Sequence, residues 1–192
     1  MRPIMRTNYQ NQLRIIGGKW RGRKISFPEI ANIRPTPNRV RETLFNWLSP
    51  VIQDAHCLDL FAGSGSLGFE ALSRGASSVT FVDNLKEVID HLQKTIVLLG
   101  AQNAEVFSLE IPYSSLMAKK PFDIIFLDPP FGAYLISPCC QWLEEQQLLA
   151  ENTYIYIEAE KALNPLPVPS NWQLIKSKVA GQVGYHLLLR TP

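Results

Sequence analysis

Asp128-Pro129-Pro130-Phe131 follows directly on the apolar run Phe122–Leu127, and its residue types suit one kind of chemistry. Two prolines fix the backbone and remove two N–H donors, which leaves carbonyls free to accept hydrogen bonds. Asp128 adds a carboxylate and Phe131 a flat apolar face. Together they suit a planar amino group on a nucleobase, with the oxygens accepting from its two N–H bonds while the ring stacks on the base. Such an amine is a poor nucleophile, because its lone pair is delocalised into the ring. Acceptors that hold the N–H bonds out of the plane return the lone pair toward an electrophile. That is catalysis by positioning and electrostatics, with no strong base needed before the attack. The plainer alternative is a strand-ending turn with a capping aspartate.

A second set of residues precedes it. The apolar run Cys57–Phe61 leads into Gly63-Ser64-Gly65-Ser66-Leu67-Gly68, and a helical pattern follows at once. Strand, glycine turn and helix with G-x-G-x-x-G spacing let the backbone approach a ligand closely at a helix N-terminus. Asp83 closes the next strand-like run, Val79–Val82, where an acid suits a pair of ribose hydroxyls. The plainer reading is a glycine turn that only packs a helix onto a sheet.

The elements that must position these residues alternate in type. The spacing predicts helices over 38–48, 67–74, 86–99 and 137–147, and strands over 78–82, 104–107, 122–127 and 153–158. Two strands near 172–179 and 182–189, joined by Ala180-Gly181, form a closing hairpin. Arg14–Phe27 reads as two short strands around glycine turns. The expected fold is α/β, a doubly wound, mostly parallel Rossmann-like sheet with an antiparallel C-terminal edge hairpin and a small basic N-terminal β-extension. Ligands in such sheets sit at the carboxyl ends of the strands, so Asp128 and the glycine loop should open on one crevice.

Composition narrows the class. At 192 residues, 46% of them hydrophobic, the chain has room for one sizeable core. No apolar run approaches the ~20 residues of a membrane span, and the N-terminus lacks the apolar segment of a secretory signal. Cys57, Cys139 and Cys140 have neither disulfide nor metal-ligand spacing, and no two of His56, His91 and His186 are spaced as ligands. A cytoplasmic protein without metal is the expectation. Tyr154, Tyr156 and Trp172 read as core or edge-strand residues.

Charge is uneven along the chain. Residues 1–41 hold ten of the nineteen basic residues and one of the seventeen acids, Glu29. A basic arm on an acidic body implies a polyanionic partner. Arg14, Lys19, Trp20, Arg21, Arg23, Lys24, Arg34, Thr36 and Arg39 are the candidate RNA-binding residues. Trp20 is expected to stack on an unpaired base. Residues 1–50 are then an RNA-binding extension and helix, and 51–192 the catalytic domain. Deleting 1–25 should weaken RNA binding and leave cofactor affinity nearly unchanged.

Asp59-Leu-Phe-Ala-Gly63-Ser-Gly65 together with Asp128-Pro-Pro-Phe131 resembles the amino-directed S-adenosylmethionine-dependent methyltransferases of class I. Arg34-Pro-Thr36, Arg39-Val-Arg41-Glu42-Thr-Leu-Phe45-Asn46, Ala71-Leu-Ser-Arg-Gly75-Ala76 and Val179-Ala-Gly-Gln-Val-Gly-Tyr185 narrow the likeness. With these the chain resembles the RsmD-type small-subunit ribosomal RNA guanine methyltransferases from about Arg14 to Leu189. The resemblance implies that S-adenosyl-L-methionine is the cofactor and that Asp59, Gly63 and Gly65 hold its methionine end, with Phe61, Ala62 and Ser64 also among the cofactor-binding residues. Asp83 would hold the ribose, and Asp128 to Phe131 the exocyclic 2-amino group of one guanine in 16S ribosomal RNA. The stretch Ser108–Pro112 departs from the family pattern, and Glu110 is the residue named there for the adenine amine. Ribosomal RNA, or a partly assembled small subunit, would be the partner of a monomer.

Other readings remain open on the residues alone. The Asp-Pro-Pro-aromatic motif also serves adenine's amine in DNA or RNA. A glutamine-directed enzyme would favour Asn-Pro-Pro-Tyr, and a dehydrogenase gives no reason for Asp128–Phe131. A non-catalytic RNA-binding assembly factor explains the arm but not two aligned site motifs.

Overall fold

The computed structural model describes residues 11–27 and 35–192. Seven strands form one sheet in the order β5-β4-β3-β6-β7-β9-β8. They are β3 (His56–Leu60), β4 (Ser78–Asp83), β5 (Ala104–Ser108), β6 (Phe122–Leu127), β7 (Leu149–Glu160), β8 (Trp172–Ala180) and β9 (Val183–Arg190). The first five run parallel, and β9 is antiparallel to both β7 and β8. The hairpin is thus antiparallel, as expected, with its second strand inserted between β7 and the edge. Successive strands lead outward from β3 to β5, and the chain then crosses back to β6 on the other side of β3. In doubly wound sheets such a reversal marks the crevice where ligands bind, here above the carboxyl ends of β3 and β6.

Why these residues form a central sheet is clear in β6. Ile124, Ile125, Phe126 and Leu127 are all buried, on both faces, as a parallel strand between two helical layers requires. One layer is α1 (Asn38–Leu48), α2 (Ser66–Ser73) and α3 (Lys86–Leu99), and the opposite face is covered by α4 (Ile136–Glu145) and the chain around Leu116. Sequence periodicity placed α1 and α3 to the residue. β7 is twelve residues long, extending to Leu149 and Glu160 beyond the expected 153–158.

β1 (Asn11–Arg14) and β2 (Lys24–Phe27) pair antiparallel as a separate ribbon. They are not a loose arm. Leu13, Ile15, Trp20, Ile25 and Phe27 are buried in the same core as Phe45, Phe69, Phe81 and Leu92. Residues 11–27 and 35–50 share one interior with 51–192, so among the described residues position 50 is not a packing boundary. Removing 1–25 strips four of those core side chains, which overturns the expectation of an untouched catalytic body.

Ionic bonds fix the ribbon to α2. The two oxygens of Glu70 accept from the backbone N–H groups of Ile16 and Gly17 at 2.8 Å each, and from Arg74 Nε at 2.7 Å. Arg41 Nη1 lies 3.5 Å from the same carboxylate, while Arg41 Nη2 donates to Arg14 O and Asn38 Oδ1. Gly18 has φ +74°, and a Cβ there would meet Ser73 O at 1.7 Å, so only glycine fits.

Candidate active site

The glycine loop leaves β3 through two left-handed glycines, Gly63 (φ +51°) and Gly65 (φ +73°), and a left-handed Phe61 (φ +61°). Its shape is held from below by two aspartates. Asp59 Oδ2 accepts from Gly68 N at 2.9 Å. Asp83 Oδ2 accepts from Gly63 N at 3.0 Å, and its other oxygen accepts from Leu85 N at 3.0 Å. Two of the N–H groups expected to face a ligand are therefore committed within the loop. Each carboxylate oxygen of Asp83 keeps further lone pairs able to accept at the strand end.

The glycines differ in what they make room for. A Cβ at Gly68 would meet Phe81 at 2.2 Å, so this glycine serves the contact of α2 with the sheet. A Cβ at Gly65 would meet Phe69 at 2.5 Å and Leu92 at 2.7 Å. Gly65 therefore yields to the core rather than to a ligand, and a larger residue there damages the fold first. Ser64 is buried, with its carbonyl 3.3 Å from His91 Nε2. Glu110 is exposed just past β5, beyond Ser108, the register partner of Asp83.

Across the crevice, Asp128 extends β6 one residue past Leu127, which pairs with Leu60 of β3. Asp128 is half-buried, Pro129 buried, and Phe131 48% exposed, so the ring has a free face. Glu160 accepts from Gly132 N and fastens the turn to the end of β7. Glu158, two residues earlier on the same face, is buried, and its Oε1 accepts from Tyr156 Oη and Thr36 Oγ1, both at 2.9 Å. Aromatic contacts position the Tyr156 donor: Phe45 of α1 packs tilted against Phe126, and Phe126 packs edge-on against Tyr156, with ring centroids 6.0 and 6.5 Å apart.

Three carboxyl groups thus converge beneath the crevice. Burial pushes Asp59 up to about 8, against the Gly68 hydrogen bond and with some help from Asp83. Burial, then the charges of Glu158 and Asp59, push Asp128 well above the carboxylate range. Glu158 is also raised by burial, though the Tyr156 and Thr36 hydrogen bonds pull it back. Such a cluster favours positive charge in the space above it.

The basic residues fall into two sets. Arg14, Lys19, Arg21, Arg23, Lys24 and Arg39 are exposed, as a phosphate-binding face needs. Arg23 also donates to Leu98 O at 3.0 Å. Two expectations need correction. Trp20 is only 8% exposed, with Lys19 Nζ 4.4 Å above its ring, so no base stacks there. Thr36 is buried and its hydroxyl is given to Glu158, not to RNA. Arg34 lies outside the described residues. A cavity of about 230 Å³ lies at the opposite, amino end of the strands, near His56, Ser78 and Lys119, and no site residue lines it.

Glu70, Glu158 and Glu160 escaped the sequence reading. Two signals were present: a lone acid in the otherwise apolar helix Leu67–Leu72, and two glutamates at strand spacing ending Tyr154-Ile-Tyr-Ile-Glu158-Ala-Glu160.

A family described as conserved hypothetical protein 95 matches residues 13–189. Ribosomal RNA small subunit methyltransferase D of Escherichia coli (strain K12) is 50% identical over 182 residues, 93% of this chain and 90% of that protein. The protein of the same name from Haemophilus influenzae is 47% identical over 195 residues, covering 97% and 98%. The solved structure of yhhF from Escherichia coli superimposes with a TM-score of 0.87 at 47% identity, over 94% of this chain and 99% of that one.

Proposed function

The chain belongs to the conserved hypothetical protein 95 family, the RsmD-type methyltransferases, and we propose that it methylates the exocyclic 2-amino group of a guanine in small-subunit ribosomal RNA. The observation that carries this reading is the position of Asp128–Phe131 at the end of β6, beside the glycine loop that ends β3. The donor set fits S-adenosyl-L-methionine: a glycine loop, a ribose-facing Asp83, an exposed Glu110 and an acidic floor that suits a sulfonium. When bound, that cofactor supplies an electrophilic methyl group.

The chain's own residues do the rest. Phe131 stacks on the target base with its free face. Asp128 and the Pro129 carbonyl accept from the amine's two N–H bonds, which directs its lone pair at the methyl group. Once methylated, the amine nitrogen would carry one proton too many. Asp128, with its raised proton affinity, takes that proton and passes it to water. Asp59 acts on the methionine end through the loop it braces. Arg14, Lys19, Arg21, Arg23, Lys24 and Arg39 bind RNA phosphates, with Arg34 in the same role.

The enzyme acts as a monomer in the cytoplasm, on ribosomal RNA or a partly assembled small subunit. Among the described residues no helix is long and apolar enough to cross a membrane. The test is transfer of a labelled methyl group to small-subunit RNA from cells lacking the gene, with the modified nucleoside identified by mass spectrometry. N2-methylguanine at a single site is the expected product. Methyladenine, or no incorporation into either RNA or subunits, overturns the proposal.

A further inference from the structure

Glu158 has no part in the chemistry so far, yet it is buried beside the acceptor. Leu127 pairs with Ile157, so Asp128 and Glu158 are lateral neighbours on parallel strands, about 4.8 Å apart in backbone. They lie on the same face, two residues beyond Phe126 and Tyr156, which share one core. Two hydroxyl donors meet on one oxygen of Glu158, a pattern that holds a carboxylate in its ionised form. One donor, Tyr156, comes from its own strand. The other, Thr36, comes from the segment just before α1, which joins the basic ribbon to the catalytic body.

We propose that Glu158 is a positioning residue for methyl transfer: kept anionic by Thr36 and Tyr156, it strengthens Asp128 as the acceptor of the proton that the methylated amine releases. The inference rests on the reading of Asp128 given above. Its electrostatics are one-sided. The titratable groups facing the pair are Asp59 from β3, Tyr156 from β7 and Tyr185 from β9, and no cation among the described residues offsets them. Burial and its acidic neighbours raise the proton affinity of Asp128, while the two hydroxyl donors on Glu158 oppose the rise that burial gives it. The same contact makes the acceptor sensitive to the seating of the Thr36 segment.

The test is the pH dependence of single-turnover methylation of small-subunit RNA by the full chain. Activity needs Asp128 ionised, so the rate falls on the acid side through its apparent pKa. In Glu158→Gln the negative neighbour is gone, and that limb should move to lower pH by about one unit. The plateau rate should fall about three- to tenfold, because the acceptor is a weaker base. Thr36→Val should move the limb the same way by less, and Thr36→Ser should restore it. Cofactor affinity by calorimetry should stay near wild type in all three. If Glu158→Gln is slower but its acid limb is unmoved, Glu158 is merely structural. Should that variant not fold, an unmoved limb in Thr36→Val overturns the idea on its own. A wild-type protein that transfers no methyl group to this RNA instead defeats the function proposed above.

Discussion

Two clusters of buried charge lie on the same side of the sheet, and they are built in opposite ways. At the ribbon, one acid meets two cations: Glu70 is fully buried between Arg41 and Arg74, and both its oxygens are also taken by backbone N–H groups. Under the crevice, three acids, Asp59, Asp128 and Glu158, face one another with hydroxyl and amide donors but no cation among the described residues. The balanced cluster holds pieces of chain together. The unbalanced one stores a demand for positive charge, which no cation among the described residues meets and a cationic reaction partner would. An excess of acids over bases, rather than burial of ionisable groups as such, separates the site from the scaffold.

The largest effect that would break this contrast is at Glu70. Glu70→Ala leaves Arg41 buried without its counter-charge and the Ile16 and Gly17 N–H groups without their acceptor. Removing one partner of a buried pair costs about 3–5 kcal/mol. Urea unfolding should show a loss of that size. A loss under about 1 kcal/mol, the range of an exposed pair, means the cluster does not hold the ribbon.

On the other side of the comparison, Asp128→Ala should leave the fold and cofactor affinity intact and slow the single-turnover rate by ~10²–10³, as loss of one preorganised partner does. Asp128→Asn should be milder, since the amide oxygen still accepts. A rate for Asp128→Ala within about threefold of wild type, well below that range, removes Asp128 from the chemistry.

The unbalanced cluster should also weaken the fold as it ionises. Asp59 in the folded chain holds its proton up to about 8, whereas the same group in an unfolded chain releases it near 3.8. Its contribution to stability is therefore fully present below pH 3.8 and is lost as pH rises toward 8. Between pH 6 and 8 one such proton is worth about 2 kcal/mol. His91 and His186, both lowered by burial, act with the opposite sign below their ordinary 6.5. The difference between wild type and Asp59→Asn isolates the aspartate. The variant's stability should fall less over that window. Parallel curves for the two proteins mean that Asp59 is already compensated.

Much of the frame was legible because its signals are local. The run Phe122–Leu127 states a strand buried on both faces, and Gly63–Gly68 with Asp83 states a strand–turn–helix and its acid. What stayed hidden depends on contacts across long spans of sequence. Thr36 and Glu158 are 122 positions apart, and Ile16 and Glu70 are 54 apart. Spacing cannot announce such pairs. Trp20 misled for a related reason: between arginines it has the company of a base-stacking residue, but the ribbon folds its ring into the core. The charge count of residues 1–41 likewise could not tell a buried Arg41 from an exposed Arg21.

That last distinction yields the smallest effect and the sharpest use of the comparison. Arg41 and Arg21 share a side chain, yet one is wholly buried against Glu70 and the other faces solvent. If exposed cations bind RNA and buried ones hold the fold, Arg21→Ala with Lys24→Ala should barely change stability, within about 0.5 kcal/mol for surface positions. It should flatten the dependence of log RNA affinity on log salt by ~0.7–0.9 for each phosphate left without its cation. Cofactor affinity should not move, because neither residue touches the crevice. Arg23→Ala is the informative companion, since its guanidinium also caps the end of α3 through Leu98 O. It should flatten the slope by a similar step and also lower stability slightly. RNA affinity at several salt concentrations, with calorimetric cofactor binding as the control, measures all of this. An unchanged slope in the double variant places the RNA-binding face elsewhere, and the exposed cations of the ribbon then lose the role that sets them apart from Arg41.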